Sequence, residues 1–487
     1  MLNAWREARL LFICSLIALA TNYPPAVINA SVNTAVGEFR LFISESYEKR
    51  GIELSETTET IIRGAILNCW YVAQFIGAMT LPSWFEHLGR KREFFIAITG
   101  MALGSLFQLL ACMSSLPELF CFGRFLAGLF SPLCDVAQIM YLQECTPTNQ
   151  RGMFSFLAGC SYAFMICFGS VLGMNSVLGS SFVVLTAAQL CPVVLSIFLA
   201  AFIPDTPKFL MIEKDDRNAA MKSLTFFQGK KDENDEILDH FLLEAEKKAV
   251  AQPSQHEHHH LIHSATTRQL FTVPYLRFTM LIAVVEFIFM LPFFSILQSS
   301  TFFFEQTDID LEVAELATTI LFLLNFVAAV IGFVIIDRFP RRTLILGSAL
   351  ISTVALSVYI AFASQYQKVE WFKYASLGCI AVYILVYGSI LGPLSLFISG
   401  ELASQRYRSR VFSFSFGATN VLITITNWVS LFAFQKFGAL AFIPLYILPY
   451  IFAITFLFFY LPETRGKEVY QVVDAIKQMV NRRAARK

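Results

Sequence analysis

The chain has 487 residues, of which 56% are hydrophobic and 15% are charged, and its mean hydropathy is +0.59. A soluble multidomain protein cannot bury so much continuous apolar sequence, so most of this chain is expected to lie in lipid. A formal net charge of +1 gives no reason to expect a nucleic-acid partner, and the sequence has no glycine-rich phosphate loop typical of ATP-driven machines.

Twelve apolar segments are long enough to cross the hydrocarbon core of a bilayer, which takes about 20 residues in a helix. The predicted spans are residues 8–30, 62–85, 93–113, 117–142, 153–174 and 181–203 in the first half, and residues 276–300, 314–336, 343–364, 373–399, 411–434 and 437–461 in the second half. The ten cysteines lie in or beside these apolar segments, which favours small core residues over disulfides.

The basic clusters fall on one side of this predicted arrangement. They are Arg6 and Arg9, residues 90–92, Arg151, Arg338 with Arg341 and Arg342, Arg406 with Arg408 and Arg410, and the tail at 482–487. The positive-inside rule makes that side cytosolic, so both termini are expected in the cytosol.

A polar segment of alternating charge separates the two sets of six spans. We predict an N-terminal six-helix bundle at 1–203, a cytoplasmic linker with short amphipathic helices at 204–275, a C-terminal six-helix bundle at 276–462 and a cytoplasmic tail at 463–487. Five of the seven histidines fall between residues 256 and 263 of the linker. Neutral imidazoles can bind metals, but no matching ligand pair occurs on facing spans, so a solvated loop without metal or cofactor is favoured.

Charged motifs in the first half recur roughly half a chain later. The run from Glu86 to Lys91 recurs from Asp337 to Arg342. Glu144 with Arg151 recurs as Glu401 with Arg408, and Pro204-Asp205-Thr206 recurs as Pro462-Glu463-Thr464. A duplicated bundle in a membrane protein indicates a transporter with its small-molecule substrate between the halves.

Acidic and basic side chains at the predicted cytosolic helix ends can form a latch between the halves when the cavity is closed below. The candidates are Glu86, Arg90, Arg124, Glu144, Arg151, Asp337, Arg338, Arg341, Glu401 and Arg408. Alternatively, the arginines only set topology and reach the head groups. We favour the latch for the paired positions, because acidic residues contribute little to topology.

Several of these motifs together resemble the sugar porter family of the major facilitator superfamily. They are Gly123-Arg124-Phe125, Glu144-Cys145-Thr146-Pro147 with Arg151-Gly152, Pro204-Asp205-Thr206-Pro207-Lys208, Asp337-Arg338 with Arg341-Arg342, and Pro462-Glu463-Thr464-Arg465-Gly466-Lys467. The stretch 173–179, and Tyr23 with residues 27–30, are similar to the animal facilitative hexose transporters.

This resemblance, which covers the whole chain, implies an all-α fold of two pseudo-symmetric six-helix bundles joined by a cytoplasmic helical linker. It also implies facilitated diffusion of a small polar solute, a hexose by family default, through alternating access, in a multi-pass protein of the plasma membrane. No chemical step is implied, so the protein is expected not to be an enzyme.

The predicted seventh span departs from the family pattern. Sugar porters carry a motif like Gln-Gln-Leu-Ser-Gly-Ile-Asn there, whereas the run from Glu286 to Gln298 has apolar residues in place of the two glutamines and the asparagine. Gly159 replaces a family glutamine, and Leu396 and Val421 replace family tryptophans. These replacements weaken the case for ordinary glucose binding.

Five polar residues remain as candidates for substrate binding: Asn29, Asn325, Asn420, Gln298 and Glu286. The three asparagines match asparagines of the family. Each could instead be an amide that is satisfied by packing between helices.

A further departure from the family pattern concerns the coupling of transport to a proton gradient. Proton symporters of this family carry an aspartate in the first span where this chain has Pro24, which favours a uniporter. Asp135 and Glu286 are nevertheless ionisable groups at membrane depth and could relay protons or pair with polar neighbours. A carrier for a less polar or anionic solute, a proton-coupled symporter and a non-transporting nutrient sensor all stay open as alternatives, and nothing in the sequence indicates an oligomeric state.

Overall fold

The computed structural model describes residues 2–85, 88–147, 151–229, 234–239, 241, 267–336, 338–403, 405–465, 467 and 469–484. Within these residues, twelve helices are long and apolar enough to cross a membrane, which confirms the predicted number of spans. The histidines between 256 and 263 lie outside the described residues.

The described residues of the N-terminal half form seven α-helices and a π-helical turn at Asn175–Gly179. The helices are α1 (Leu2–Thr34), α2 (Val36–Glu48), α3 (Glu56–Phe85), α4 (Arg90–Ser114), α5 (Pro117–Glu144), α6 (Arg151–Gly173) and α7 (Phe182–Phe202). All except α2 are membrane spans. Helix α2 lies in the first interspan loop, where its Phe39 ring packs 5.9 Å from Phe120 and 5.5 Å from Phe182.

Short helices precede the C-terminal half, and those with described bounds are α8 (Pro207–Ile212), α9 (Arg217–Gln228) and α10 (Thr267–Thr272); residues 234–239 are helical as well. The C-terminal half comprises α11 (Pro274–Phe287), α12 (Leu291–Glu305), α13 (Leu311–Ile335), α14 (Arg341–Ala363), α15 (Phe372–Val386), α16 (Gly392–Glu401), α17 (Gln405–Phe437) and α18 (Leu448–Tyr460). Helix α19 (Val469–Ala484) follows the last span.

Several spans of the C-terminal half contain a turn that is not α-helical, and two of these turns contribute residues to the lining of the cavity described below. A 3₁₀ turn at Ile288–Met290 joins α11 to α12 in the seventh span, and a π-helical turn at Tyr387–Leu391 joins α15 to α16 in the tenth. Pro292 and Pro393 follow these turns as the second residues of α12 and α16. Proline has no N–H to donate to the preceding helical turn, so each interruption lies where a regular α-helix would lose a hydrogen bond.

An even number of spans places both ends of the membrane domain on the same side. We call this side the basic face, because the arginines that begin α4 and α14 lie there, and we call the other side the opposite face.

The acidic residue of the repeated Pro-Asp/Glu-Thr motif has the same role in both halves. Asp205 Oδ1 accepts a hydrogen bond from the Lys91 backbone N–H at 3.2 Å, in the first turn of α4. Glu463 accepts from the backbone N–H groups of Arg341 and Arg342 at 3.0 and 3.1 Å, in the first turn of α14. Neither helix is capped by the side chain of its own N-cap residue, so these carboxylates satisfy N–H groups that would otherwise lack partners.

Helices α4 and α5 approach closely where two glycines face each other. A Cβ atom on Gly104 would lie 2.6 Å from the carbonyl oxygen of Gly123, and a Cβ atom on Gly123 would lie 2.6 Å from that of Gly104. Small residues allow such backbone contact between membrane helices, and this packing fixes the position of α5 and of the polar residues it carries.

Candidate functional site

A cavity of about 270 Å³ lies between the two halves, near the middle of the spans. Residues of α1, α3, α5 and α6 form one wall. The other wall comes from the interrupted seventh and tenth spans together with α13 and α17. The lining continues along α5 to Gln138 and Ile139 and along α17 to Phe412 and Ser413, which are near the basic-face ends of those helices.

The opposite face is closed by side-chain contacts between the halves. Asn33 Nδ2 on α1 donates to Ser300 Oγ on α12 at 2.9 Å. The hydroxyl oxygens of Ser170 on α6 and Thr319 on α13 lie 2.9 Å apart. The cavity is therefore sealed from the opposite face, whereas its lining extends towards the basic face.

Two arginines of the N-terminal half and one aromatic ring of the other half strengthen this seal. The guanidinium carbons of Arg40 and Arg63 lie 5.4 and 4.2 Å from the centre of the Phe302 ring. Arg40 Nη1 also pairs with Glu305 Oε1 at 3.1 Å. A guanidinium over an aromatic face is an attractive contact, and it is stronger when the group is buried, as Arg63 is.

The polar lining consists mainly of amides. Asn22 Nδ2 donates to Ser161 Oγ at 2.6 Å, so this amide is held by its own half. Gln138 Nε2 and Asn325 Oδ1 are different, because among the described residues they are buried without a hydrogen-bond partner. Buried polar atoms are nearly always satisfied in native proteins, so these two atoms are the natural partners for a bound solute.

Aromatic rings form much of the remaining surface. The aromatic lining residues are Trp70, Tyr71, Tyr162, Phe293, Phe294, Tyr387, Phe412 and Phe416. The rings of Phe293 and Tyr387 stack with their centres 4.0 Å apart and 11° between their planes. This stack joins the two interrupted spans on the wall of the cavity.

One carboxylate also faces this space. Asp135 lies on α5 between Ser131 and Gln138, and all three line the cavity. Their spacing places them on one face of the helix. Among the described residues, Asp135 forms no hydrogen bond or ion pair, and its side chain is only partly buried.

Only two of the five residues expected to bind substrate, Asn29 and Asn325, line the cavity. Glu286, Gln298 and Asn420 are buried inside the C-terminal half instead. The Gln298 Oε1 atom accepts from Asn427 Nδ2 at 2.6 Å, on the side towards the opposite face. The seventh span presents Met290, Phe293 and Phe294 to the cavity in their place.

The sequence analysis did not identify Gln138, Gln74 or Asn22 as lining residues, and it considered Asp135 as a proton relay or as the partner of a polar neighbour. A signal was present in the fourth span. Ser131, Asp135 and Gln138 recur at the spacing of one helical face within an apolar segment, which is typical of a helix that lines a polar cavity.

Arg124 differs from our expectation that it belongs to a latch at the cytosolic helix ends. It lies in the second turn of α5, whereas Glu144 is the last residue of the same helix, at the basic face. Its fully buried guanidinium donates through Nε to the Ile66 carbonyl at 3.1 Å and through Nη2 to Asn29 Oδ1 at 2.7 Å. These acceptors hold Arg124 within the N-terminal half, where it orients Asn29 at the wall of the cavity.

The other described latch candidates make contacts within their own halves. Arg90 Nη2 lies 3.6 Å from Glu144 Oε1, and Glu144 also accepts a hydrogen bond from the Thr206 hydroxyl. In the C-terminal half, the Arg338 carbonyl accepts from Arg465 Nη1 at 2.8 Å. A latch between the halves therefore stays a prediction. Glu86, Asp337 and the side chains of Arg151, Glu401 and Arg408 lie outside what the structure describes.

Comparison with known proteins gives matches over nearly the whole chain. Residues 10–475 match the family described as "Sugar (and other) transporter". The facilitated glucose transporter member 3 of Gallus gallus is 25% identical over 490 residues, which cover 97% of this chain and 93% of that protein. The facilitated glucose transporter member 9 of Mus musculus is 22% identical, with 88% of this chain and 78% of that protein covered.

Solved structures of a bacterial transporter are similar over the same length. The major facilitator superfamily proton:xylose symporter XylE bound to 6-bromo-6-deoxy-D-glucose superposes with a TM-score of 0.71 at 17% identity, covering 97% of this chain and 99% of that one. An inward-open conformation of XylE from E. coli gives a TM-score of 0.70 at 17% identity, with the same coverage.

Proposed function

Because the chain belongs to the sugar transporter family of the major facilitator superfamily, we propose that it moves a hexose across the membrane by facilitated diffusion. The protein is a multi-pass membrane transporter with the fold of two six-helix bundles, and not an enzyme. The observation that supports the proposal best is the cavity between the halves, which is sealed at one face and is lined by amide atoms that have no partner among the described residues.

These amide atoms provide what a sugar needs when it leaves water. Each hydroxyl group that loses water without a new partner costs about 1–3 kcal/mol. Gln138 Nε2 can donate to a sugar oxygen, and Asn325 Oδ1 can accept from a sugar hydroxyl on the other side of the cavity. Asn29 also lines the cavity, but its amide is already held by Arg124 and by the Pro25 carbonyl.

The aromatic side chains of the lining suit the apolar faces of a sugar ring. A pyranose ring presents C–H groups on its faces, and these pack favourably against the rings of Trp70 and Tyr71 or against the stacked pair Phe293 and Tyr387.

Transport then follows from exchange between two states. We assign the basic face to the cytosol by the positive-inside rule, which makes the described state inward-facing and places both termini in the cytosol. Opening the other side requires the Asn33–Ser300 and Ser170–Thr319 contacts to separate. The repeated acids and arginines on the cytosolic side then close the cavity below the sugar. The plasma membrane is the proposed location.

Uptake of radiolabelled glucose into proteoliposomes containing the purified protein tests this proposal. We expect saturable uptake that equilibrates with the external concentration, is competed by unlabelled hexoses and does not accumulate when a proton gradient is imposed. Protein-free liposomes provide the background. Uptake no faster than this background for every hexose tested would contradict the proposal.

A proton-coupled symporter is the second candidate, because Asp135 is an ionisable group inside the cavity. In that case an inward proton gradient drives accumulation of the sugar above equilibrium, and the Asp135→Asn variant loses this accumulation.

A carrier for a less polar solute is the third candidate. It is favoured by Met290, Phe293 and Phe294, the apolar side chains that the seventh span turns towards the cavity. Such a carrier would transport a solute whose uptake excess glucose does not compete.

A further inference from the structure

We propose that the cavity prefers a hydroxylated solute that carries a positive charge, a protonated amino sugar being the simplest case, and that Asp135 binds its ammonium group. The inference rests on the proposed function, because it narrows the substrate class of the same cavity.

The charge of the cavity lining is the first argument. Among the lining residues that the structure describes, Asp135 is the one charged side chain, and the other polar groups are amides and hydroxyls. The nearest cation on the same helix, Arg124, lies about three turns away, or roughly 16 Å along the axis. It is held by acceptors on α1 and α3 and is separated from the cavity by Asn29. Asp135 is therefore the one described lining group that can carry a charge, and an ammonium group beside it favours its ionised form.

A carboxylate at membrane depth is unfavourable unless it has a partner, and such groups usually mark the path of a substrate or an ion. Asp135 has no hydrogen-bonding or ion-pairing partner among the described residues, and its side chain is not fully buried. A solute with an ammonium group supplies both the missing charge and the missing hydrogen bonds.

The aromatic rings are the second argument. An ammonium group is attracted to the face of Trp, Tyr or Phe, and more strongly where water is excluded. The lining has eight such rings on both walls of the cavity. A neutral sugar would also pack on these rings, so they favour a cation only in combination with the carboxylate.

The arrangement of polar groups provides the third argument. Gln138 follows Asp135 by one helical turn towards the basic face, and its Nε2 atom is unpartnered among the described residues. A solute whose ammonium group binds Asp135 can therefore accept a hydrogen bond from Gln138 at an adjacent oxygen. It can donate from a further hydroxyl to Asn325 on the facing wall. Adjacent amine and hydroxyl groups are what an amino sugar presents.

A competition experiment tests the inference. Unlabelled probes compete with bound radiolabelled glucose on the purified full-length protein at about pH 6.5. An amine of ordinary pKa is charged under this condition. The probes are glucosamine, glucose and the neutral amide N-acetylglucosamine. We expect glucosamine to bind about tenfold or more tightly than either neutral sugar, as is typical of a hydrogen bond to a charged group.

Two variants assign the preference to its residue. Asp135→Asn should reduce the ratio of glucosamine affinity to glucose affinity by about tenfold, since it removes the charge and keeps the shape. Glu118→Gln is the matched control, because it removes a carboxylate from the same helix at the opposite face, outside the cavity, and should leave the ratio as in the wild type.

The outcomes separate this inference from the proposed function. A wild-type ratio near one, or a ratio that Asp135→Asn leaves unchanged, overturns the inference while glucose transport stands. Loss of proton-driven accumulation in Asp135→Asn without a change in the ratio makes Asp135 a proton relay and also overturns it. If neither glucosamine nor the neutral sugars bind, both proposals are overturned. If Asp135→Asn does not fold, the wild-type ratio with its N-acetyl control decides alone.

Discussion

Arg124 is a positive charge in the apolar interior that is supported by neutral acceptors. Its guanidinium donates to two carbonyl oxygens of α3 and to Asn29 on α1, and it lies 5.9 Å from the centre of the Trp70 ring. The planar group can reach several acceptors in fixed directions, which a lysine cannot do. The residue thereby joins three helices of the N-terminal half and positions one amide of the cavity.

We therefore expect Arg124→Lys to lower the stability of the protein by about 1–3 kcal/mol, because the charge stays while acceptors such as the Ile66 carbonyl lose their donors. Thermal unfolding of the purified protein measures the effect. Arg50→Lys, at an exposed ion pair with Glu118, is the control and should change the melting temperature much less. Equal melting temperatures for Arg124→Lys and the wild type would refute this role.

Asn325 and Asn420 form a matched pair of residues for testing whether the substrate binds in the cavity. Both are buried asparagines of the C-terminal half, but only Asn325 lines the cavity. Asn325→Ala should raise KM for the transported sugar about tenfold, since a hydroxyl of the ligand loses its acceptor. Asn420→Ala should alter KM little. Proteoliposome uptake over a range of sugar concentrations measures both, and the reverse order of effects would contradict the placement of the site.

The sequence shows that polar residues occur in the apolar spans, but it is a poorer guide to which of them line the cavity. A polar residue in an apolar span has the same local pattern whether it faces a cavity or a neighbouring helix. Gln298 therefore could not be distinguished from Asn325 until Asn427 was seen to bind it. Asp135 could be placed better, because Ser131 and Gln138 repeat on its helical face.

At the scale of elements, the spans were predictable because an apolar segment of sufficient length is a local property of the sequence. Helix α2 was not predicted, since its charged residues read as a loop and its helical form depends on packing of Phe39 against α5 and α7. The prolines of the C-terminal half are visible in the sequence, but the 3₁₀ and π geometry of the turns before them depends on the surrounding helices.

The Pro-Asp/Glu-Thr motif was recognised as a repeat, but its role became clear only from the contacts between helices. Glu463 lies far along the chain from α14, yet its two oxygens accept the first N–H groups of that helix. Such a cap between elements has no local sequence signature, because the partners are brought together by the fold.

We expect Glu463→Ala to destabilise the protein by about 0.5–2 kcal/mol, the usual range for loss of a helix cap. Glu463→Gln should lie between this variant and the wild type, since one acceptor oxygen stays while the negative charge is lost. Thermal unfolding measures the series. The control is Asp474→Ala, an exposed residue of α19, which should have little effect. A Glu463→Ala protein as stable as this control would refute the capping role.

At the scale of the whole molecule, the pseudo-symmetric architecture could be predicted from duplicated motifs, but the conformational state could not. The same residues must serve an inward-facing and an outward-facing state, so the sequence specifies both. The contacts between Asn33 and Ser300 and between Ser170 and Thr319 show that the opposite face is the closed one.

A disulfide across this closed face should stop transport. In the double variant Ser170→Cys/Thr319→Cys, the new thiols replace hydroxyl oxygens that lie 2.9 Å apart, so oxidation should link α6 to α13. We expect most of the sugar uptake to be lost on oxidation and regained on reduction. The single-cysteine variants control for the ten native cysteines. Unchanged uptake in protein shown to be cross-linked would mean that this face does not need to open.

The chemistry of the contacts at that closed face has a consequence for the rate of transport. The central hydrogen bonds of this face are neutral hydroxyl and amide pairs, and beside them lie the partly exposed Arg40–Glu305 pair and the contact of Arg63 with the Phe302 ring. A neutral hydrogen bond contributes about 0.5–1.5 kcal/mol net, because water readily takes the place of either partner. No single hydrogen bond of the closed face is then a large barrier to opening, and a ligand that binds the two orientations with different affinities shifts their populations. Weak contacts of this kind favour a carrier that exchanges quickly between its two orientations when the concentration gradient of its substrate is small.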